Sequence, residues 1–182
     1  MDEKDVQVEE FIDETLQTLG EEDRQRVFDE NTLRHPISDL DPNDPLVVET
    51  QTPALEAITL MKDRRVGCVL VTRSGKLKGI FTERDVLTRV AGEGVDAAKT
   101  PVRKLMTSGV ETLRPTDSIA YALNKMSVGG YRHIPLVDNA SRPVGVISVR
   151  DIVAYIVRFF PKSVMNLPTL PRQNYVRERE GA

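Results

Sequence analysis

Apolar and polar positions fall into two spacings along this chain, and the order of those spacings recurs. Val8, Phe11, Ile12, Leu16 and Leu19 lie near the i, i+3, i+4, i+7 rhythm, which predicts one or two amphipathic helices over residues 6–28, the first stopped by Gly20. From Arg34 onward Pro36, Pro42 and Pro45 exclude helix and predict a linker. Leu46-Val47-Val48 then reads as a short strand. Pro53 suits the first position of a helix whose apolar face is Ala54, Leu55, Ala57, Ile58 and Met61. Residues 66–71 are almost unbroken apolar, the pattern of a strand covered on both faces. Ser74-Gly75 turns the chain into a second strand over residues 77–81, so the pair should be a hairpin, and Thr82 opens a helix reaching residue 90. The order is strand, helix, strand, strand, helix.

The same order follows again. Residues 110–113 predict a strand, Pro115-Thr116-Asp117 a turn and cap, residues 118–126 a helix, residues 132–137 and 144–147 a hairpin, and Ser148 the start of a last helix. One stretch recurs Gly for Gly, hydroxyl for hydroxyl, Arg for Arg and Asp for Asp: Gly79-Ile80-Phe81-Thr82-Glu83-Arg84-Asp85 returns as Gly145-Val146-Ile147-Ser148-Val149-Arg150-Asp151, at an offset of 66. A repeat of this length marks a duplicated fold unit. Met61 and Met126 give an offset of 65, so the second unit has gained one residue, placed most simply in Val128-Gly129-Gly130. The predicted division is a helical extension over 1–38, a first unit over 39–99, a second over 100–160, and a tail over 161–182 that Pro161, Pro168 and Pro171 should hold extended.

Composition adds limits. A chain of 182 residues with 40% hydrophobic and 29% charged residues has the make-up of a soluble globular protein. The single Cys68 cannot form an intramolecular disulfide, and Met1-Asp2-Glu3-Lys4-Asp5 lacks the basic and apolar regions of a signal peptide, so a cytoplasmic location is expected. No apolar run approaches the ~18 residues of a membrane span. The net charge of −3 is unevenly spread: residues 1–44 hold 15 acidic against 4 basic residues, and the remainder 13 against 21. A basic body favours phosphate-bearing ligands, and a set of scattered solvated charges is the alternative. An aromatic fraction of 5% without a basic stripe argues against a nucleic-acid platform. Cys68 sits in an apolar run with no base assigned to it, Gly75-x-x-x-Gly79 lacks the Lys-Ser/Thr of a phosphate loop, and two His with one Cys make no metal set. No catalytic constellation and no metal site are expected.

In each copy of the repeated stretch an apolar strand ends and a helix begins at a hydroxyl residue, with Asp three positions on. A helix N-terminus with its free N–H groups suits a phosphate, and an Asp one turn in can accept from a sugar diol, a combination that fits a nucleotide. Thr82-x-x-Asp85 and Ser148-x-x-Asp151 equally fit a capping box, in which hydroxyl and carboxylate serve only the helix start. Tyr131-Arg132-His133-Ile134-Pro135 favours the ligand, since Arg132 and His133 can meet a phosphate, although His133 also reads as an ordinary strand-end histidine. The matching stretch Arg65-Val66-Gly67-Cys68-Val69 keeps one Arg but neither His nor Pro.

These residues resemble the tandem cystathionine-β-synthase (CBS) domain pair, often called a Bateman module, over residues 39–160. The match rests on both repeats and on Gly-Ile-Phe-Thr-Glu-Arg-Asp, Tyr-Arg-His-Ile-Pro-Leu-Val-Asp and Gly-Val-Ile-Ser-Val-Arg-Asp. The resemblance implies a mixed α/β (α+β) fold of two β-α-β-β-α units packed about a pseudo-twofold axis, with two clefts that bind AMP, ADP, ATP or S-adenosylmethionine, commonly in a homodimer. It implies that Thr82 and Ser148 approach phosphate, that Asp85 and Asp151 hold ribose hydroxyls, and that Arg132 and His133 neutralise phosphate in the second-unit site, with Ser148 and Asp151. Thr52, Thr116, Gly67, Cys68, Ile134 and Pro135 would lie near base or sugar. The first unit departs from the family pattern at Gly67-Cys68-Val69, so the clefts should be unequal. The expected function is a non-enzymatic sensor acting on an unidentified regulated protein, with a ligand-free dimerisation or scaffold module as the alternative.

Overall fold

Five consecutive buried residues, Cys68 to Thr72, make the central strand of the first half, and their side chains serve two separate cores. Val69 and Val71 point to one face, where Val48, Ala54, Ala57, Met61 and Phe81 meet them; Cys68 and Leu70 point to the other, against Ile80 and Val146. Alternation of side chains along a strand explains the division. It also explains why the run looked continuously apolar, since both faces are covered.

The structure, a computed structural model, describes residues 31–160. The helical extension expected over residues 6–28 and the tail over 161–182 lie outside the described residues. In chain order the elements are β1 (Val47–Glu49), α1 (Ala54–Asp63), β2 (Cys68–Arg73), β3 (Lys76–Thr82), a single α-turn α2 (Glu83–Asp85) continued as π-helical turns (Val86–Ala91), β4 (Thr107–Ser108), α3 (Ile119–Gly129), β5 (His133–Val137), β6 (Pro143–Ser148) and α4 (Val149–Val157). Strands β1 to β4 form one sheet in that order, with β1 parallel to β2 and the other pairs antiparallel; β5 and β6 form an antiparallel pair. Contacts group Phe28–Tyr155 into one unit. Residues 156–160 fall in another, whose described part is a turn closed by Phe159 N–H to Ile156 O at 3.0 Å.

The mixed α+β architecture with a twice-repeated order is as expected, with three differences. The strand expected over residues 110–113 is reduced to a parallel bridge of Leu113 to Leu136, because the preceding residues are committed elsewhere: β4 pairs with β3 of the first half, and Gly109 (φ 64) then turns the chain away. Pro53 precedes α1 and does not open it, so the first helical N–H groups are satisfied from outside, Ala54 by Thr100 O at 2.8 Å and Leu55 by Ala97 O at 3.0 Å. The third difference concerns the gained residue. Cys68 pairs with Thr82 and His133 with Ser148, so His133 is the counterpart of Cys68 and the offset is still 65 there; it becomes 66 only at β6. The extra residue therefore sits in the second hairpin turn, where Asp138 accepts from the backbone of Ala140 (2.8 Å) and Arg142 (2.9 Å), and not in Val128-Gly129-Gly130. A solvent-facing turn absorbs an insertion that a ladder cannot. Arg65 (φ 51) thus matches Gly130 (φ 66), both in the left-handed position that ends a helix, and Arg65 is no counterpart of Arg132.

The two halves exchange their lead-in segments. Pro36 bridges to Ser118, with Ile37 N–H to Asp117 O at 2.8 Å; Pro101 bridges to Pro53, with Val102 N–H to Thr52 O at 2.8 Å. Each pair maps onto the other at an offset of 65, the mark of a pseudo-twofold relation. The crossings also explain the repeated glycine. A Cβ on Gly79 would run into Thr107 O and Met106 Sδ, and one on Gly145 would meet Leu136 Cδ1 at 3.2 Å and Pro42 Cβ at 3.6 Å.

Candidate functional site

Strand β3 ends at Thr82 because its extended backbone (φ −121, ψ 165) there gives way to a helix start whose free N–H groups need acceptors. Thr82 Oγ1 accepts from Asp85 N–H at 3.3 Å, and Asp85 Oδ2 accepts from Thr82 N–H at 2.9 Å and from its hydroxyl at 2.7 Å. The second copy repeats this geometry: Asp151 N–H to Ser148 Oγ 3.3 Å, Ser148 N–H to Asp151 Oδ2 2.6 Å, and Ser148 hydroxyl to the same oxygen 2.7 Å. Both capping boxes are formed.

Beyond the boxes the copies diverge. Asp85 is 5% exposed, and its second oxygen Oδ1 accepts from the Thr107 hydroxyl at 3.2 Å and lies 3.5 Å from Arg89 Nη1. The same guanidinium donates to Leu105 O at 2.9 Å and Met106 O at 2.6 Å, tying the π-helical turns to the lead-in of the other half. Asp151 is half-buried, and its Oδ1 receives no hydrogen bond from the described residues.

A cavity of about 340 Å³ opens where the halves meet. The first half contributes Gly67, Ile80 and residues 82–85, the lead-in Thr107 and residues 109–111, and the second half residues 129–133. The His133 ring lies over Gly67, where a Cβ would sit 3.2 Å from Cε1 and Nε2; glycine is what lets the imidazole in. Burial, aided by the Arg132 charge, holds His133 below its ordinary value against the opposing pull of Glu83 and Asp151, so the ring is neutral at pH 7. Arg84 and Arg132 both reach the cavity, and neither side chain is hydrogen-bonded or ion-paired among the described residues. Two free guanidiniums at the wall of a recess form an anion-attracting mouth.

Of the residues singled out in the sequence, Gly67, Thr82, Asp85, Arg132 and His133 line this one cavity. Ser148 and Asp151 do not line it, although Ser148 faces His133 across the β5–β6 ladder. Ile134 and Pro135 are fully buried within β5, opposite Ile147 and Val146. Cys68 is buried opposite Thr82, its thiol pushed up to about 12 by burial and then by Glu83, which leaves it protonated and unreactive. Thr52 stands at the lead-in crossing, and Thr116 is exposed in the loop before α3. Glu83, Arg84, Thr107, Glu111 and Tyr131 also line the cavity but were not singled out beforehand. Arg84 had a signal, its return as Arg150; Thr107 had none, since Pro42 stands at its repeat position. A more open recess of about 520 Å³ at the other end of the first sheet joins Arg73, Lys78 and Arg103 to Glu49, with none of the singled-out residues. Among the described residues no group of three or more His, Cys, Asp or Glu is placed to hold a metal, and no helix is long and apolar enough to cross a membrane.

Comparison with known proteins places this geometry in context. The family model described as CBS domain matches twice, over residues 37–92 and 102–158. A CBS domain-containing protein of Arabidopsis thaliana is 37% identical over 108 residues, 59% of this chain but 19% of that protein, so the chain spans about a fifth of its relative's length. The crystal structure of a CBS-domain containing protein from Agrobacterium tumefaciens superposes with a TM-score of 0.59 at 30% identity, covering 65% of this chain and 96% of the other. A CBS domain protein from Pyrobaculum aerophilum, solved in complex with AMP, superposes with a TM-score of 0.61 at 25% identity, covering 69% and 98%.

Proposed function

The chain belongs to the CBS domain family, and from that premise we propose that it is a non-enzymatic regulatory module that binds an adenine nucleotide, AMP, ADP, ATP or S-adenosylmethionine, where its two repeats meet. The observation that carries the reading is the cavity of about 340 Å³ in which two guanidiniums unpaired among the described residues, Arg84 and Arg132, and His133 stand beside the Thr82–Asp85 helix start. Its volume lies within the ~300–1,000 Å³ of small-molecule sites. The anionic group of the nucleotide meets Arg132, Arg84 and His133, and the base lies toward Ile80, Val110 and the Tyr131 ring. The Pyrobaculum neighbour, crystallised with AMP, supports an adenylate as ligand. The module works as a homodimer in the cytoplasm and passes ligand occupancy to a regulated protein.

A specific observation favours a second reading, a ligand-free dimerisation or scaffold module: both hydroxyl–carboxylate boxes are already satisfied as helix caps. Calorimetric titration and thermal unfolding with the four ligands separate the two. A ligand that binds only the folded state adds about 2.7 kcal/mol at a hundredfold excess over its Kd. The sensor reading expects at least one ligand to raise the transition, and Arg132→Ala to weaken that rise. If no ligand shifts the transition at millimolar concentration, the scaffold reading stands in its place.

A further inference from the structure

We propose that Arg89 and Thr107 close Asp85 to a ligand's hydroxyls, so that the cavity beside it selects its nucleotide by the anionic group and is indifferent to the sugar 2′,3′-diol. The inference rests on the nucleotide reading above and deepens it. A carboxylate reads a diol by accepting two hydrogen bonds, and a sparsely exposed carboxylate can do so only with acceptor capacity left over. Asp85 keeps little. Oδ2 is taken by the Thr82 N–H (2.9 Å) and hydroxyl (2.7 Å), and Oδ1 accepts from the Thr107 hydroxyl (3.2 Å) and is faced by the Arg89 guanidinium, an ion pair at 3.5 Å, with the residue 5% exposed. Nor is Arg89 free to move aside, because its guanidinium also holds the carbonyls of Leu105 (2.9 Å) and Met106 (2.6 Å). Swinging it away would leave those carbonyls without their donor and take the counter-charge from the carboxylate.

The repeat supplies an internal control. At the positions of Arg89 and Thr107 the other half carries Tyr155 and Pro42; the Tyr155 hydroxyl stands 3.5 Å from His35 Nδ1 and makes no bond to Asp151, and Pro42 has no side-chain donor. Asp151 keeps its box, and its Oδ1 takes no hydrogen bond from the described residues. The duplicated Gly-x-x-hydroxyl-x-Arg-Asp motif has therefore been split: one Asp is closed by two residues outside the motif, and the other retains an oxygen that is open among the described residues.

The test compares AMP with 2′,3′-dideoxyadenosine 5′-monophosphate by calorimetric titration of the full chain carrying Asp151→Ala, so that only the Asp85 side contributes. The expected result is binding of both with affinities within about threefold, since no charge-assisted hydrogen bond to the diol is lost. A preference for AMP of about tenfold or more, the loss expected when a carboxylate–hydroxyl bond is removed, overturns the inference and leaves nucleotide binding intact. Binding of neither ligand overturns both the inference and the nucleotide reading of this cavity. Adding Thr107→Val, which keeps the side-chain shape but removes the donor from Oδ1, is expected to create a preference for AMP of about tenfold; an unchanged ratio counts against closure by Thr107.

Discussion

Replacing each Asp of the repeated motif by Ala measures how differently the two are held. Both lose a capping box, worth about 1 kcal/mol. Asp85→Ala loses more. Its bond from the Thr107 hydroxyl ends on a charged acceptor, a class worth about 1.5–3 kcal/mol, and the low end applies at 3.2 Å. Its ion pair with Arg89 is 38% exposed on the arginine side and is discounted for screening to about 0.5 kcal/mol. Asp85→Ala should therefore cost about 2 kcal/mol more than Asp151→Ala. With a urea slope of about 2 kcal/mol/M, the midpoints should differ by about 1 M. The chain has no Trp, so far-UV circular dichroism is the probe. Equal midpoints for the two variants, with unchanged slopes, would show that Thr107 and Arg89 do not hold Asp85 and would refute the reasoning.

Gly79→Ala should destabilise by about 1–3 kcal/mol, because the new methyl meets the backbone oxygen of Thr107, whereas Gly145→Ala should cost under 1 kcal/mol, because its nearest obstacle is the tip of Leu136; urea unfolding of both variants checks the order. His133 has a folded value lowered from 6.5, so the unfolded chain binds the proton more readily and the stability from neutral His133 is complete above 6.5 and lost as the pH falls below it. His133→Gln should flatten the wild-type stability profile between pH 7 and 5, and parallel profiles would contradict burial as the cause. Cys68, with its thiol pushed up to about 12, should stay unlabelled by a thiol reagent at pH 8 in the native protein and react once urea unfolds it.

Legibility differed from one feature to the next. Residues 66–71 announced a strand covered on both faces because burial on two sides leaves no polar position, and β2 has that burial. The capping boxes were legible because they are local: hydroxyl and carboxylate three residues apart need only a helix start to meet. Residues 110–113 misled because their apolar pattern is real, yet their hydrogen-bond partners were set by a neighbouring segment already paired with β3. Matching Arg65-Val66-Gly67-Cys68-Val69 to Tyr131-Arg132-His133-Ile134-Pro135 failed for a related reason. An alignment of letters can slip by one, but a ladder pairing Cys68 with Thr82 and His133 with Ser148 cannot, since a one-residue slip turns every side chain to the other face.

By itself the sequence determined that the chain holds two copies of one unit, the helix–strand–strand–helix order in each, and the hydroxyl–Asp pair at the start of each last helix, because periodicity and capping act over a few residues. Only the tertiary structure decided that the lead-in of each half crosses to the other, that Arg132 and His133 line one cavity with the Thr82–Asp85 box while Ser148 and Asp151 stay outside its lining, and that Asp85 is closed by Arg89 and Thr107. Those outcomes depend on groups far apart in sequence competing for the same few acceptors, and no local spacing records which of them wins.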